Sequence, residues 1–143
     1  MTVNQRSIIR KLKITPRFYQ VDMMGVVHNA EYFRWFEEGR LQIMTDIISI
    51  DQSASMGYAF PVIENTCRYL GFAGFGDSLI MTTIHKIESE YRGKLKFAHS
   101  IVNEKTRASI AEGETLITII EYPSRKLVKE WPSEIWEKYQ SLK

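Results

Sequence analysis

The sequence has a single cysteine, Cys67, so no disulfide can close within the chain, and a reducing compartment, the cytoplasm, is the expected setting. It has no long hydrophobic run: nothing approaches the roughly 18 consecutive apolar residues that a membrane-spanning helix requires, so no membrane span is expected. Met1-Thr2-Val3-Asn4-Gln5-Arg6 carries no apolar stretch behind its charge, and no secretory leader is expected. Neither sign of charge dominates: 19 Lys and Arg against 17 Asp and Glu leave a net +2. That argues against a nucleic-acid partner but leaves room for a local basic patch facing a phosphorylated ligand. His28, His85 and His99 stand far apart with no second thiol, so no metal site is expected. Repeats, low-complexity tracts and linkers are also missing, and the 143 residues are expected to form one domain, 1–143.

What is present has a clear order. Residues 8–17 alternate as a half-buried strand that ends near Pro16, which suits a sheet edge. Residues 18–28 contain Gly25 and no helical period. They form a loop too apolar for a solvated tip, with Phe18, Tyr19, Val21, Met23, Met24, Val26 and Val27, and should tuck against something. Asn29 is a good N-cap type, with Glu31 in the first turn behind it. Phe33, Phe36, Ile43, Met44, Ile47 and Ile48 then recur at three- and four-residue steps, predicting a helix of roughly 20 residues that fades before Asp51-Gln52-Ser53. Residues 59–69, 79–88, 95–104 and 110–122 read as four successive strands, each the antiparallel neighbour of the next. A short terminal helix follows Pro132, with Ile135, Trp136 and Tyr139 on one face. The expected class is α+β: a five-stranded antiparallel sheet around one long helix, with sheet edges that a second subunit could cover.

The stretch from Asp22 to Tyr32 could carry chemistry. A carboxylate stands just before a helix N-terminus, where unpaired N–H groups and the helix dipole can hold a developing oxyanion. Asp22 could then act as general base or nucleophile. The plainer reading is that Asp22 caps a turn and Gly25 supplies a backbone angle. Glu37 falls with Phe33 and Arg40 on the apolar face. It reads first as a structural Glu37–Arg40 pair and second as a supporting site residue. Arg92, Lys94 and Lys96 surround a turn at Gly93 and read as a solvated turn or a phosphate contact. Cys67 has no activating partner and reads as a strand residue. His85 and His99 fall within strands, as packed or surface residues.

The run Phe18-Tyr19-Gln20-Val21-Asp22-Met23-Met24-Gly25-Val26-Val27-His28-Asn29-Ala30-Glu31-Tyr32, continuing through Phe36-Glu37-Glu38-Gly39-Arg40, resembles the signature of the hotdog-fold acyl-CoA thioesterases. The similarity is to the 4-hydroxybenzoyl-CoA thioesterase branch. It extends through Phe60-Pro61-Val62-Ile63-Glu64, Tyr69, Gly76-Asp77-Ser78-Leu79, Tyr91-Arg92-Gly93-Lys94 and Ala111-Glu112-Gly113-Glu114-Thr115. The resemblance implies a hotdog fold, acyl-CoA hydrolysis without a cofactor, and a homodimer or homotetramer with its site between subunits. It implies that Asp22 is the catalytic acid and that a backbone N–H near Asn29 polarises the thioester carbonyl. Gly25, His28, Tyr32 and Glu37 stand as supporting residues, and Arg92 and Lys94 as coenzyme A contacts. Many relatives have His where Asn29 stands and Asn where Glu31 stands. The pair His28-Asn29 is closer to acyl-carrier-protein thioesterases, so hydrolysis of carrier-protein thioesters is an alternative. A non-catalytic binder of acyl or aromatic ligands is a second alternative.

Overall fold

The structure, a computed structural model, describes residues 5–143. The expectation about a leader falls largely on residues 1–4, outside the described residues.

Five strands make one antiparallel sheet: β1 (Ser7–Ile14), β3 (Val62–Tyr69), β4 (Leu79–Lys86), β5 (Leu95–Asn103) and β6 (Ser109–Ile117). Their order is β1-β4-β5-β6-β3. Strands β4, β5 and β6 are neighbours in succession, as expected. The step from β3 to β4 is not: β3 pairs with β6, and residues 70–78 carry the chain across to the far side of β5. A nine-residue connection is too long for a tight hairpin and frees the two strands to part. Both edges, β1 and β3, belong to strands that the sequence made visible.

Two expected strands are each broken into two. Residues 59–69 divide into β2 (Tyr58–Ala59) and β3, and residues 110–122 into β6 and β7 (Ile120–Glu121). β2 and β7 form a separate two-stranded ribbon. The break falls at Pro61, which has no N–H for a ladder; its carbonyl accepts instead from Thr118 N at 3.1 Å.

The long helix, α1 (Glu31–Ile47), lies on the sheet face formed by Ile8, Leu79, Met81, Leu95, Phe97, Ile101 and Ile117. Its buried stripe is Tyr32, Trp35, Phe36, Gly39, Arg40, Ile43, Met44 and Ile47, with Phe33 only half-buried. Each large apolar side chain so buried contributes about 2 kcal/mol, which holds the helix in place. Gly39 is required by close approach: a Cβ there would collide with the Thr83 hydroxyl. The helix does not simply fade before Asp51. Ile48 turns extended, and Ser49 starts a second helix, α2 (Ile50–Met56), by accepting from Gln52 N through its hydroxyl at 3.0 Å. The chain ends with α3 (Ser133–Gln140), as expected from Pro132.

Candidate functional site

Residues 18–28 are more structured than a loop. A 3-10 turn (Phe18–Gln20) leads into a tight hairpin. Asp22 N donates to Val26 O at 2.8 Å, Val21 bridges Val27, and His28 N donates to Gln20 O at 2.8 Å. Gly25 N donates to Asp22 O at 3.0 Å, closing the turn, and Gly25 takes φ +79°, the left-handed conformation a glycine adopts freely. The Asp22 carboxylate accepts through Oδ1 from Met24 N at 2.8 Å and Val26 N at 3.3 Å. Asp22 therefore does cap its turn, by the mechanism that favours Asp at the first position. Its second oxygen, Oδ2, has no partner among the described residues, and the side chain is exposed. The hairpin seats on the crossing segment: Val27 N donates to Ala73 O at 2.8 Å, and Val26 bridges Gly74. Its outward side chains, however, are not tucked against this chain. Phe18, Tyr19, Met23 and Met24 are all exposed, which corrects the expectation for the isolated chain.

Two pairs along the hairpin from Asp22 comes the start of α1. Ala30, not Asn29, is the N-cap residue, and no side chain caps in the usual way. His28 does that work: its Nδ1 accepts from Ala30 N at 3.2 Å and its carbonyl from Glu31 N at 3.0 Å. Asn29 N–H lies between the satisfied N–H groups of His28 and Ala30 and has no acceptor among the described residues. The Asn29 carbonyl is pinned by Tyr69 OH at 2.8 Å, which fixes the plane of the adjoining peptide. Tyr32 packs edge-on against Tyr69 and Trp35, with ring centres 5.2 and 5.1 Å away. Burial pushes both Tyr32 and Tyr69 up to about 12, so each phenol keeps its proton and Tyr69 remains a donor.

Gln20 adjoins the candidate site and has little signal in the sequence. Buried, it donates from Nε2 to Glu31 Oε2 at 3.0 Å and accepts from Arg17 N through Oε1 at 2.8 Å. It locks the hairpin to the first turn of α1. The only local signal was a polar residue inside an apolar run.

The remaining candidates separate. Glu37 is exposed and lies 3.7 Å from Arg40, whose side chain is 10% exposed. The apolar face buries Arg40, as expected, but leaves Glu37 outside, which corrects the expectation that Glu37 shares that face; the structural pairing stands. Arg92 and Lys94 are exposed, and Arg92 lies 3.6 Å from Glu90. They sit between β4 and β5 at the opposite end of the sheet from Asp22. The eight residues of β4 separate the two ends; at roughly 3.3 Å per residue the span is about 26 Å. One chain does not bring these cations to its own hairpin.

Cys67 is half-buried on β3, and burial pushes its thiol above the ordinary value, which suits a packed strand residue. Both strand histidines are packed. Thr115 hydroxyl donates to Asn65 Oδ1 at 2.7 Å, so toward His99 Nε2, at 3.0 Å, it can only accept. His99 therefore carries its proton on Nε2 and accepts on Nδ1 from the Thr83 hydroxyl at 2.9 Å. Burial foremost, then the Arg40 charge, lowers His99 from 6.5 to about 4. His85 lies between Lys96 O at 2.7 Å and Tyr139 OH at 2.8 Å, and burial lowers it too. Among the described residues no group of His, Cys, Asp and Glu could hold a metal ion, and no helix is long and apolar enough to cross a membrane.

Two cavities lie away from the hairpin. A trough of about 710 Å³ crosses the outer sheet face between Thr66, Thr82, Ser100 and Glu112, and a cleft of about 390 Å³ lies beside Tyr91, Trp131 and Trp136. Neither is lined by any of residues 18–33. The hairpin and the α1 start form an open surface within one chain.

Comparison with known proteins gives this surface a context. Residues 16–139 match the family model described as the thioesterase-like superfamily. The chain is 25% identical over 134 residues to the acyl-acyl carrier protein thioesterase ATL3, chloroplastic, of Arabidopsis thaliana, covering 93% of this chain and 68% of that one. It is 26% identical over 104 residues to the putative acyl-CoA thioesterase YneP of Bacillus subtilis, covering 71% and 73%. The crystal structure of Slr0204, a 1,4-dihydroxy-2-naphthoyl-CoA thioesterase from Synechocystis, superposes with a TM-score of 0.78 at 18% identity, covering 94% and 97%. With the long helix against the five-stranded sheet, and a family match over nearly all of its length, the chain belongs to the thioesterase-like superfamily and is a thioester hydrolase of the hotdog fold.

Proposed function

We propose that the protein hydrolyses an acyl-CoA thioester to the free acid and coenzyme A, with Asp22 and the backbone N–H of Asn29 as the reacting pair. The observation that carries this reading is the unpaired Asn29 N–H at the start of a 17-residue helix, beside the hairpin whose carboxylate keeps one oxygen free. The Asp22 carboxylate takes a proton from water, and the water oxygen bonds to the thioester carbon. The displaced electron pair gathers on the carbonyl oxygen, which accepts from Asn29 N–H, with the α1 dipole behind it. Such a donor is worth about 3 kcal/mol of barrier. As the carbonyl reforms, the carbon–sulfur bond breaks and the thiolate recovers the proton from Asp22. Direct attack by Oδ2, followed by hydrolysis of the anhydride, uses the same two groups. The chemistry calls for no cofactor, because a thiolate already leaves readily.

Gly25 sets the turn that aims Asp22, His28 satisfies the N–H groups on the far side of Asn29, and Tyr32 backs Tyr69. Arg92 and Lys94 serve the coenzyme A phosphates of another subunit's site, consistent with their place at the far end of the sheet. The exposed hairpin side chains support a homodimer or homotetramer. The lone half-buried thiol suits the cytoplasm, and the unit is a single domain over 1–143.

A second reading, hydrolysis of carrier-protein thioesters, is favoured by the pair His28-Asn29 and by the likeness to ATL3. Thiol release from short, long and aromatic acyl groups, each offered on coenzyme A and on a carrier protein, tests both. The expected result is release from at least one acyl-CoA, faster than from the matching carrier form. Binding without release on any thioester would leave only a ligand-binding role.

A further inference from the structure

The fold buries one full charge without pairing it closely. Among the described residues Arg40 is the only Lys, Arg, Asp or Glu that is buried. Its companion Glu37 lies 3.7 Å away, beyond hydrogen-bond reach, and is 59% exposed to water. An ion pair with so exposed a member contributes little. A guanidinium has five N–H donors, and those of Arg40 meet no acceptor among the described residues. Nor are its nitrogens sealed off. The one side-chain nitrogen or oxygen that is both sealed and unpaired among those residues is Trp131 Nε1. The Arg40 nitrogens open onto a space instead.

That space is a pocket of about 60 Å³ between the second half of α1 and α2. Leu41, Met44, Ile48, Ile50 and Phe60 make its walls apolar. Two hydroxyls also reach it, but Thr45 donates to Leu41 O and Ser53 to Ile50 O, both at 2.8 Å. Arg40 is therefore the one side chain of the lining whose donors are unspent. Burial lowers Arg40 from its ordinary value, as expected of a charge taken out of water with too little in return.

We propose that this pocket binds a short-chain carboxylate, its two oxygens on the Arg40 guanidinium and its alkyl group against Leu41, Met44, Ile48 and Phe60. The planar fork of an arginine matches a carboxylate, and the walls suit a hydrocarbon. A phosphate or sulfate would bring more acceptor oxygens than one guanidinium satisfies, and would set the rest against apolar side chains. Size limits the chain. At roughly 10–15 Å³ for each water-sized group, the pocket holds about four to six non-hydrogen atoms, the range from acetate to butyrate. The site is separate from the Asp22 hairpin: Arg40 stands ten residues past the Ala30 cap, about 15 Å along the helix. The hydrolysis proposed above releases an acid of this class, but the pocket and its test stand without that reading.

Thermal midpoints of the full chain, taken at constant ionic strength, read the binding without any thioester. Sodium propionate or butyrate at about ten times its Kd should raise the midpoint by about 4 °C, while chloride and the uncharged propionamide should not. Titration calorimetry then orders the variants. Arg40→Lys keeps the charge but loses the fork and should weaken propionate about fivefold or more. Glu37→Gln removes a competing carboxylate and should tighten it a few-fold. Arg40→Met should abolish binding. Ile50→Trp, at a position 66% exposed on the pocket's rim, leaves Arg40 in place and should block entry, so the test survives an Arg40→Met that folds poorly. A shift that propionamide or chloride matches, propionate binding that persists in both Arg40→Met and Ile50→Trp, or no saturable response to acetate, propionate or butyrate would each overturn the proposal.

Discussion

The two ends of the sheet differ in what they finish within one chain. Where β4 ends and β5 begins, α3 folds back and Trp131 packs among Phe60, Tyr91, Trp136 and Tyr139, with ring centres 5.1–6.5 Å apart. That end is closed. At the other end, the Asp22 hairpin and the start of α1 hold each other by hydrogen bonds and leave Phe18, Met23, Met24, Phe72 and Phe75 exposed. One end supplies stability; the other presents an N–H, a carboxylate oxygen and apolar surface for something to cover. Mutations should therefore separate by end, stability falling at the first and turnover at the second.

The largest effect on stability is expected at the closed end. Trp131→Ala should cost about 4 kcal/mol in urea denaturation by emptying the aromatic cluster, with turnover per folded molecule little changed. Trp131→Phe should cost much less, since the buried indole N–H has no acceptor among the described residues and so no hydrogen bond there to lose.

Acid should act next, through His99 in the middle of the sheet. Its folded value of about 4 lies below the ordinary 6.5. The unfolded chain thus gains a proton first as pH falls. His99 contributes its full stability above pH 6.5 and loses it progressively down to about pH 4, a change of roughly 3 kcal/mol. His85 shifts the same way. Denaturation midpoints measured from pH 7 to 4 should fall along this curve, and His99→Gln should flatten it.

At the open end, Tyr69→Phe should lower kcat about tenfold by releasing the Asn29 peptide, while stability changes by less than about 1 kcal/mol. The smallest effect belongs to Arg92→Ala and Lys94→Ala, which should raise KM for acyl-CoA a few-fold at low salt, leave kcat unchanged, and fade as ionic strength rises.

The contrast between the ends also marks how far the sequence could be read. The helix through Phe36, Ile43 and Ile47 and the strands between the glycine turns were legible because their periods are local. The crossing of residues 70–78 was not, because pairing of β3 with β6 is a long-range choice that no local pattern encodes. Nor was the break at Ile48-Ser49, where Ser49 starts a second helix that runs through Asp51-Gln52-Ser53. In the site, Asp22-x-x-Gly25 announced a turn and the resemblance announced a reaction. Which N–H would remain unpaired depended on His28 capping in place of Asn29, and the burial of Arg40 over Glu37 depended on the neighbouring strands. Gln20 was invisible because its partners, Arg17 and Glu31, are chosen by the folded hairpin.

The central claim is that Asp22 does chemistry as well as capping its turn. Asn at this position can accept the same two N–H bonds but cannot take a proton from water or attack as a carboxylate. Thiol release by Asp22→Asn, measured beside its thermal midpoint, separates the roles. The account predicts a midpoint near that of the wild type and turnover reduced at least a thousandfold, an expectation scaled to the loss of a general base or nucleophile. Turnover near the wild-type rate on every accepted thioester would show that Asp22 only caps a turn.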